Sequence, residues 1–464
     1  MYSQLTRFVL PLVLAMVAYE FGKQFLNGGM ARMPDAVETL ASYGLAWGIV
    51  TVLSSSLSQT RQLGLVLANG ESALGTVRRF VLVFSAALSA FLAVLAVTPA
   101  GVWLIRDLHA VDSGMTEVVL RAMFWLVPVP ILDGLLRLYS GLLIRIRRTD
   151  IVSYASIAGI VGSIVSVFAL LPVDAVRSEP ILLPILATYA GVVGELLFTF
   201  IGYRRNRAVF LAETEDADGA SSRRSLTLSY VFRFFWPLAL IMMVQGGSRP
   251  LVNLFVSRGT DGTEALATLT IVYTLAHLPY GWLNEIRNLP AAFRHKADSL
   301  VFIRRFAAAC GLISFSSMVL LFWTPIRGFL LETLISVPPE LAAACATPLM
   351  IFSFFPLTVM IRAYLHGIGL IQHRTKALAP SGPARVIAIL ITLLVVPDGL
   401  VSGATLGVGA LLCGFTLETI MVWYGITYGT PGSGPPGTGR SKPGTEGGTS
   451  ASLTAIDPAR PSKA

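Results

Sequence analysis

Charge is scarce along this chain, and so are cysteine and histidine. Only 13% of its 464 residues are charged, while 54% are hydrophobic; soluble domains carry roughly 25% charged residues. The mean hydropathy is +0.70. That balance excludes a soluble globular domain and points to an all-α integral membrane protein with the lipid bilayer as its first partner. The three cysteines, Cys310, Cys345 and Cys413, show no CxxC spacing, and no histidine stands at metal-ligand spacing. The thiols therefore read as buried and reduced, and no metal is expected. The sequence lacks GxxxxGK[ST], HExxH and GxSxG. The glycines of GATLGVGAL lie in an apolar run with no strand before them, so they only imitate a nucleotide loop. Neither an enzyme, nor a cofactor, nor an ATP-driven pump is expected. The net charge of +9 falls in short clusters between apolar runs instead of on one face, which argues against nucleic acid.

What the chain has is long apolar runs. They appear at about 7–27, 37–57, 80–104, 117–143, 151–172 and 180–203, then at 230–257, 264–286, 302–324, 341–366, 383–397 and 402–428, each near the length that crosses a bilayer. The first shows no cleavage site and is interrupted by Glu20 and Lys23, so it is a retained span and not a signal peptide. Arginines crowd alternate loops (Arg78 and Arg79, Arg147 and Arg148, Arg204 and Arg205, Arg287 and Arg294), which places both termini in the cytoplasm. The expected division is an N-terminal six-helix bundle (1–207), a solvated linker (208–228), a C-terminal six-helix bundle (229–428) and a disordered Gly/Pro/Ser/Thr tail (429–464).

The two bundles are related in sequence. At a constant offset of 226, Arg7 falls on Arg233, Phe8 on Phe234, Pro11 on Pro237, Asn27 on Asn253 and Arg32 on Arg258. The register continues with Pro130 on Pro356, Gly141 on Gly367 and Arg148 on Arg374, and GVVGE at 191–195 matches GFTLE at 414–418 after a slip of three. This is one unit duplicated head to tail. With six spans per copy, the copies share orientation and are related by an axis along the membrane normal.

Polar groups inside the spans mark the candidate site. SYVFRFFWPLALIMMVQGGSRPLVNLFVSR (229–258) carries Arg249 near its middle, and a charge there costs at least ~2.5 kcal/mol to insert. Gly246, Gly247 and Pro250 surround it, so the helix is expected to break, with Pro250 opening a half-helix whose positive end faces the guanidinium. That geometry suits an anion. The plainer alternative is a kinked helix whose arginine pairs with a carboxylate. Arg362, with His366 one turn on, also has no local acid, and Glu195 and Glu418 have no local base and are the candidates to answer Arg249 and Arg362. Glu20 with Lys23 and Asp133 with Arg137 form intrahelical pairs. HLPYGWLNEIR (277–287) brings His277, Tyr280, Trp282 and Asn284 into one span as cavity-wall candidates.

ETLASYGLA (38–46), EPILLPILATY (179–189), FWPLAL (235–240), SRPLVNLFVSR (248–258), HLPYGWLNEIR (277–287), IFSFFP (351–356) and GATLGVG (403–409) together resemble the progressive ankylosis (ANK) proteins. These are distant relatives of the multidrug and oligosaccharidyl-lipid flippase (MATE/MOP) superfamily. The resemblance covers nearly all twelve spans and implies two six-helix bundles around a central cavity. It also implies export of a small multivalent anion (inorganic pyrophosphate, ATP or a citrate-like polycarboxylate) across the plasma membrane. Carried onto this chain, it makes Arg249 and Asn253 cavity residues, with Lys23 and Asn27 opposite; Arg362, His366 and His277 add positive character. The animal pattern reads closer to FGEQALNRG where this chain has FGKQFLNGG, so Lys23 replaces an acid and Gly28 an arginine. A cation-coupled drug antiporter, a lipid-linked sugar flippase and a non-transporting regulator are the competing expectations.

Overall fold

A computed structural model describes residues 1–107, 112–217, 226–256, 258–259, 262–293, 299–334, 338–397 and 400–428. Within them the side chains of 20, 21, 23, 24, 37, 213–217, 263 and 334 are not described. The described residues contain helices and no strand. The N-terminal half is built from α1 (Tyr2–Met30), α2 (Ala36–Ser54), α3 (Gly70–Val97), α4 (Ser113–Trp125), α5 (Val129–Arg145), α6 (Thr149–Leu170) and α7 (Leu182–Arg205). The C-terminal half contains α8 (Leu228–Val256), α9 (Gly262–Gly281), α10 (Ser299–Trp323), α11 (Phe355–Ile371), α12 (Ser381–Val395) and α13 (Gly403–Tyr428), with short helical turns between them.

Ten of the described helical segments are long and apolar enough to cross a membrane, and α4 with α5 make an eleventh. The expected span at 117–143 is thus two helices meeting at 43°, broken where Pro128 and Pro130 remove two backbone donors within three residues. The expected span at 264–286 is the helix Gly262–Gly281 followed by a tight helical turn at Trp282–Asn288, and it falls outside that set. The linker is not wholly irregular: Arg207–Ala217 is a helix, anchored by the fully buried Phe210. The expected disordered tail lies outside the described residues.

The duplication is visible atom by atom. A Cβ on Gly141 would stand 2.1 Å from the carbonyl oxygen of Arg61, and one on Gly367 would stand 2.7 Å from that of Arg287, the same contact displaced by the repeat offset. Arg147 and His373, another equivalent pair, both adopt positive φ (61° and 54°), a conformation that costs a non-glycine residue energy and is kept here in both copies. Gln62 donates to Asn288 at 3.1 Å, and the two are 226 residues apart. Equivalent residues that touch must lie on the pseudo-twofold axis, so this bond marks where the axis crosses the interface.

The halves close on the side that carries the N-terminus. Phe8 packs edge-on against Phe293, Tyr2 against Phe302, and Phe80 and Phe84 against Phe235. One apolar core runs through both halves there, from Leu5, Phe8 and Leu63 to Val231, Phe235 and Phe293. The other end of the N-terminal half has its own separate core, from Met30 and Tyr43 to Ile185. Of the thiols, Cys310 and Cys345 are buried as expected, whereas Cys413 is exposed.

Candidate functional site

Above the closed end lies a cavity of about 520 Å³, within the range that holds small ligands. Its wall comes almost wholly from the C-terminal half: Leu238, Ile241, Met242, Gln245, Gly246 and Arg249 of α8; His277, Tyr280, Asn284 and Arg287; Arg362, Ala363 and His366 of α11; Arg385 of α12; and Phe415 of α13. The N-terminal half supplies neutral polar groups, Ser55, Ser58 and Gln59, from the tight turns that follow α2, with the Ser55 and Ser58 hydroxyls donating to the backbone carbonyls of Val52 and Ser55.

The expected break at Arg249 is absent. α8 is one helix through both Pro237 and Pro250, so no half-helix dipole points at the site. In a bilayer, frayed backbone groups find no water, which favours keeping the remaining hydrogen bonds. Pro250 still lacks the N–H that would pair with the Gly246 carbonyl four residues back, and Gly246 faces the cavity.

Four guanidiniums line this space, and they divide into two kinds. Arg362 and Arg385 are neutralised together. Glu418, wholly buried, accepts from Arg362 Nη1 at 2.9 Å and from Arg385 Nη1 at 3.2 Å through the same oxygen. Its other oxygen accepts from Gln245. Arg362 Nη2 donates to Asn284 Oδ1 at 2.7 Å, and both guanidiniums lie over the Phe415 ring, 5.0 and 3.8 Å from its centroid. Sharing one carboxylate and one aromatic face holds two like charges in low dielectric, where a lone ion would be costly.

Arg249 and Arg287 are the other kind. Among the described residues neither reaches a carboxylate within ion-pair distance. Arg249 rests on the face of Tyr273, 4.9 Å from the ring centroid, which orients the charge without cancelling it. The pairing alternative weighed for Arg249 therefore describes Arg362 instead. His277 and His366 line the same wall, His277 edge-on to Tyr280 and His366 with its buried Nε2 unpartnered.

The remaining expected residues scatter. Asn253, one turn beyond Arg249, keeps a buried Oδ1 without a partner but does not line the cavity. Asn27 is exposed on α1 and does not line it either. The side chains of Glu20 and Lys23 lie outside the described residues. Asp133 and Arg137 pair at 3.0 Å within the N-terminal half. Glu195 does not answer Arg249 or Arg362: it accepts from Ser156 at 2.6 Å, on the other side of the pseudo-symmetry. Arg287, Arg385, Gln245, Ser55, Ser58 and Gln59 were not foreseen. The repeat carried the signal, because SLSQTRQ at 56–62 falls on WLNEIRN at 282–288 with polar residues at three matching positions and an arginine on an arginine.

This architecture is shared with solved structures at low sequence identity. A eukaryotic MATE transporter, AtDTX14, matches at a TM-score of 0.64 and 14% identity over 91% of this chain and 94% of its own. The Vibrio cholerae MATE transporter VcmN, as its D35N mutant, matches at 0.65 and 10% over 92% and 96%. A MOP superfamily transporter from Pyrococcus furiosus, reported to have a binding pocket of reverse polarity that suggests a different function, matches at 0.58 and 15% over 92% and 95%. The chain thus has the fold of the MATE transporters of the MOP superfamily. The sequence pattern of the family described as progressive ankylosis protein (ANKH) matches residues 1–324, and the chain belongs to that family. Family and fold together point to a membrane transporter rather than an enzyme.

Proposed function

We propose that the protein is a secondary transporter of small multivalent anions, with Arg249 and Arg287 as the groups that meet the ligand. The carrying observation is the uncompensated pair of guanidiniums on the wall of a 520 Å³ cavity. A transporter for cations would place free carboxylates there, whereas the acids beside this wall are engaged, Glu418 by Arg362 and Arg385 and Glu285 by Arg61. Ser55, Ser58 and Gln59 line the cavity from the opposite half; both hydroxyls donate to backbone carbonyls, which leaves the Gln59 amide as the neutral donor on that side. His277 and His366 add donors on the cationic side. Inorganic pyrophosphate, ATP and citrate-like polycarboxylates carry the charge this arrangement matches.

The direction follows from electrostatics. With the termini in the cytoplasm, an anion leaving an inside-negative cell gains ~2.3 kcal/mol per charge per 100 mV, or about 7 kcal/mol for a trivalent ion. Export then requires no coupled ion, only a path of lowered barrier and alternating access by rocking of the two halves.

The test is flux from proteoliposomes loaded in turn with pyrophosphate, ATP, citrate and a lipophilic organic cation. The proposal expects efflux of at least one multivalent anion and none of the cation. Cation efflux alone supports a drug antiporter, and no flux of any solute by folded protein supports a regulator.

A further inference from the structure

Beneath the cavity, on the closed side, a second arginine is held in check. Arg61 and Glu285 face each other across the two halves, with Arg61 Nη1 donating to both carboxylate oxygens at 3.1 Å. Asn288 Nδ2 donates to Glu285 Oε2 at 2.7 Å, and Gln62 Nε2 donates to Asn288 Oδ1 at 3.1 Å. The network therefore runs across the pseudo-twofold axis. It lies next to the cavity without lining it, since Ser58 and Gln59 precede Arg61 and Asn284 and Arg287 flank Glu285, and those four do line the wall.

The geometry points to Arg61 as the anion contact of the opposite-facing state, masked in this conformation by Glu285. Three observations carry it. First, Arg61 is the repeat counterpart of Arg287, a cavity cation, and both backbones are pressed by equivalent glycines, Gly141 and Gly367, against equivalent helices. Second, the pair uses one nitrogen of the guanidinium where a fork-on-fork pair uses two; both bonds leave from Nη1, and among the described residues Nη2 and Nε make no hydrogen bond, which leaves them to take a ligand oxygen. Third, neither side chain is fully buried, at 13% for Arg61 and 21% for Glu285, so parting them does not strand a charge in a dry interior. When the halves separate on the terminal side, the Arg61–Glu285 bond must break because it spans the seam. Arg61 is then exposed, on the face through which an anion enters from that side. Arg287 and Arg61 thus serve in turn, one in each orientation. This inference rests on the anion-transport reading for the identity of the ligand, but not for the masking itself.

The test separates the two. In vesicles of defined sidedness, Arg61→Ala is expected to raise the KM for pyrophosphate presented on the terminal side at least fivefold while leaving the KM from the far side within twofold. A purely structural bond shifts both equally, and that result overturns the assignment. Masking is read without substrate. Ser58→Cys is labelled by an impermeant maleimide from the terminal side, against the labelling of the parent's own cysteines. Adding Glu285→Gln is expected to raise the rate at least threefold, and joining Gln62→Cys to Asn288→Cys with a short bis-maleimide is expected to abolish it. Labelling that ignores both changes overturns the masking. Labelling that responds while no variant moves any multivalent anion retains the gate and refutes the anion-transport reading.

Discussion

At the scale of single residues, the same glutamate is used in two ways. Glu195 and Glu418 are repeat equivalents, yet the first accepts from a serine and the second from two arginines and a glutamine. Removing Glu418 leaves Arg362 and Arg385 buried and uncompensated, and breaking such an arrangement from one side costs roughly 3–5 kcal/mol. Glu418→Ala is therefore expected to lower the melting temperature in detergent markedly and Glu195→Ala much less; equal losses would show that the arginine pair is not held by its carboxylate. Arg249 differs because no acid depends on it. Arg249→Ala is expected to reduce anion flux at least tenfold, equivalent to ~1.4 kcal/mol, with melting nearly unchanged, and Arg249→Lys to retain part of the flux. Proteoliposome efflux beside a melting curve checks both. The sequence made Arg249, Arg362, His277 and His366 legible, because an ionisable side chain in an apolar run announces itself. It hid Arg287 and Arg385 because each stands near the end of a run, where an arginine is indistinguishable from one that sets topology.

At the scale of elements, the helices were readable from length and hydropathy, but their continuity was not. Proline beside glycine suggested a broken helix at Arg249, and α8 runs through because the bilayer penalises each backbone group that a break would release. Conversely the run at 117–143 looked uniform and is bent by 43° between α4 and α5, where two prolines act within three residues. The tight turn after α2 lies past the end of an apolar run and the one after α9 closes a run, and together they carry polar inter-half contacts that hydropathy does not mark. Those turns pack against Gly141 and Gly367, where a Cβ would collide with the Arg61 and Arg287 carbonyl oxygens. Gly141→Ala and Gly367→Ala must push a carbonyl aside, and overpacking of this kind costs about 1–3 kcal/mol. Both variants are expected to melt earlier than the parent, Gly141→Ala the more so because its contact is closer; a neutral result at both sites would contradict the shared packing.

At the scale of the whole molecule, duplication explains both the symmetry and the departure from it. The offset read from matching prolines and arginines reappears as paired positive φ angles, paired glycine contacts and a bond between Gln62 and Asn288 on the axis. Charge does not follow that symmetry. The cavity's four arginines all belong to the C-terminal half, and the N-terminal half contributes hydroxyls and an amide; on the proposed function, one half would hold the ligand's charge and the other close over it. The measurement that bears most directly on this account is potential-driven efflux of pyrophosphate, citrate and ATP from proteoliposomes, comparing the parent with an Arg249→Ala, Arg287→Ala double variant of equal melting temperature. The account predicts efflux that steepens with inside-negative potential in the parent and is lost in the double variant. Anion efflux that survives the loss of both guanidiniums would contradict it.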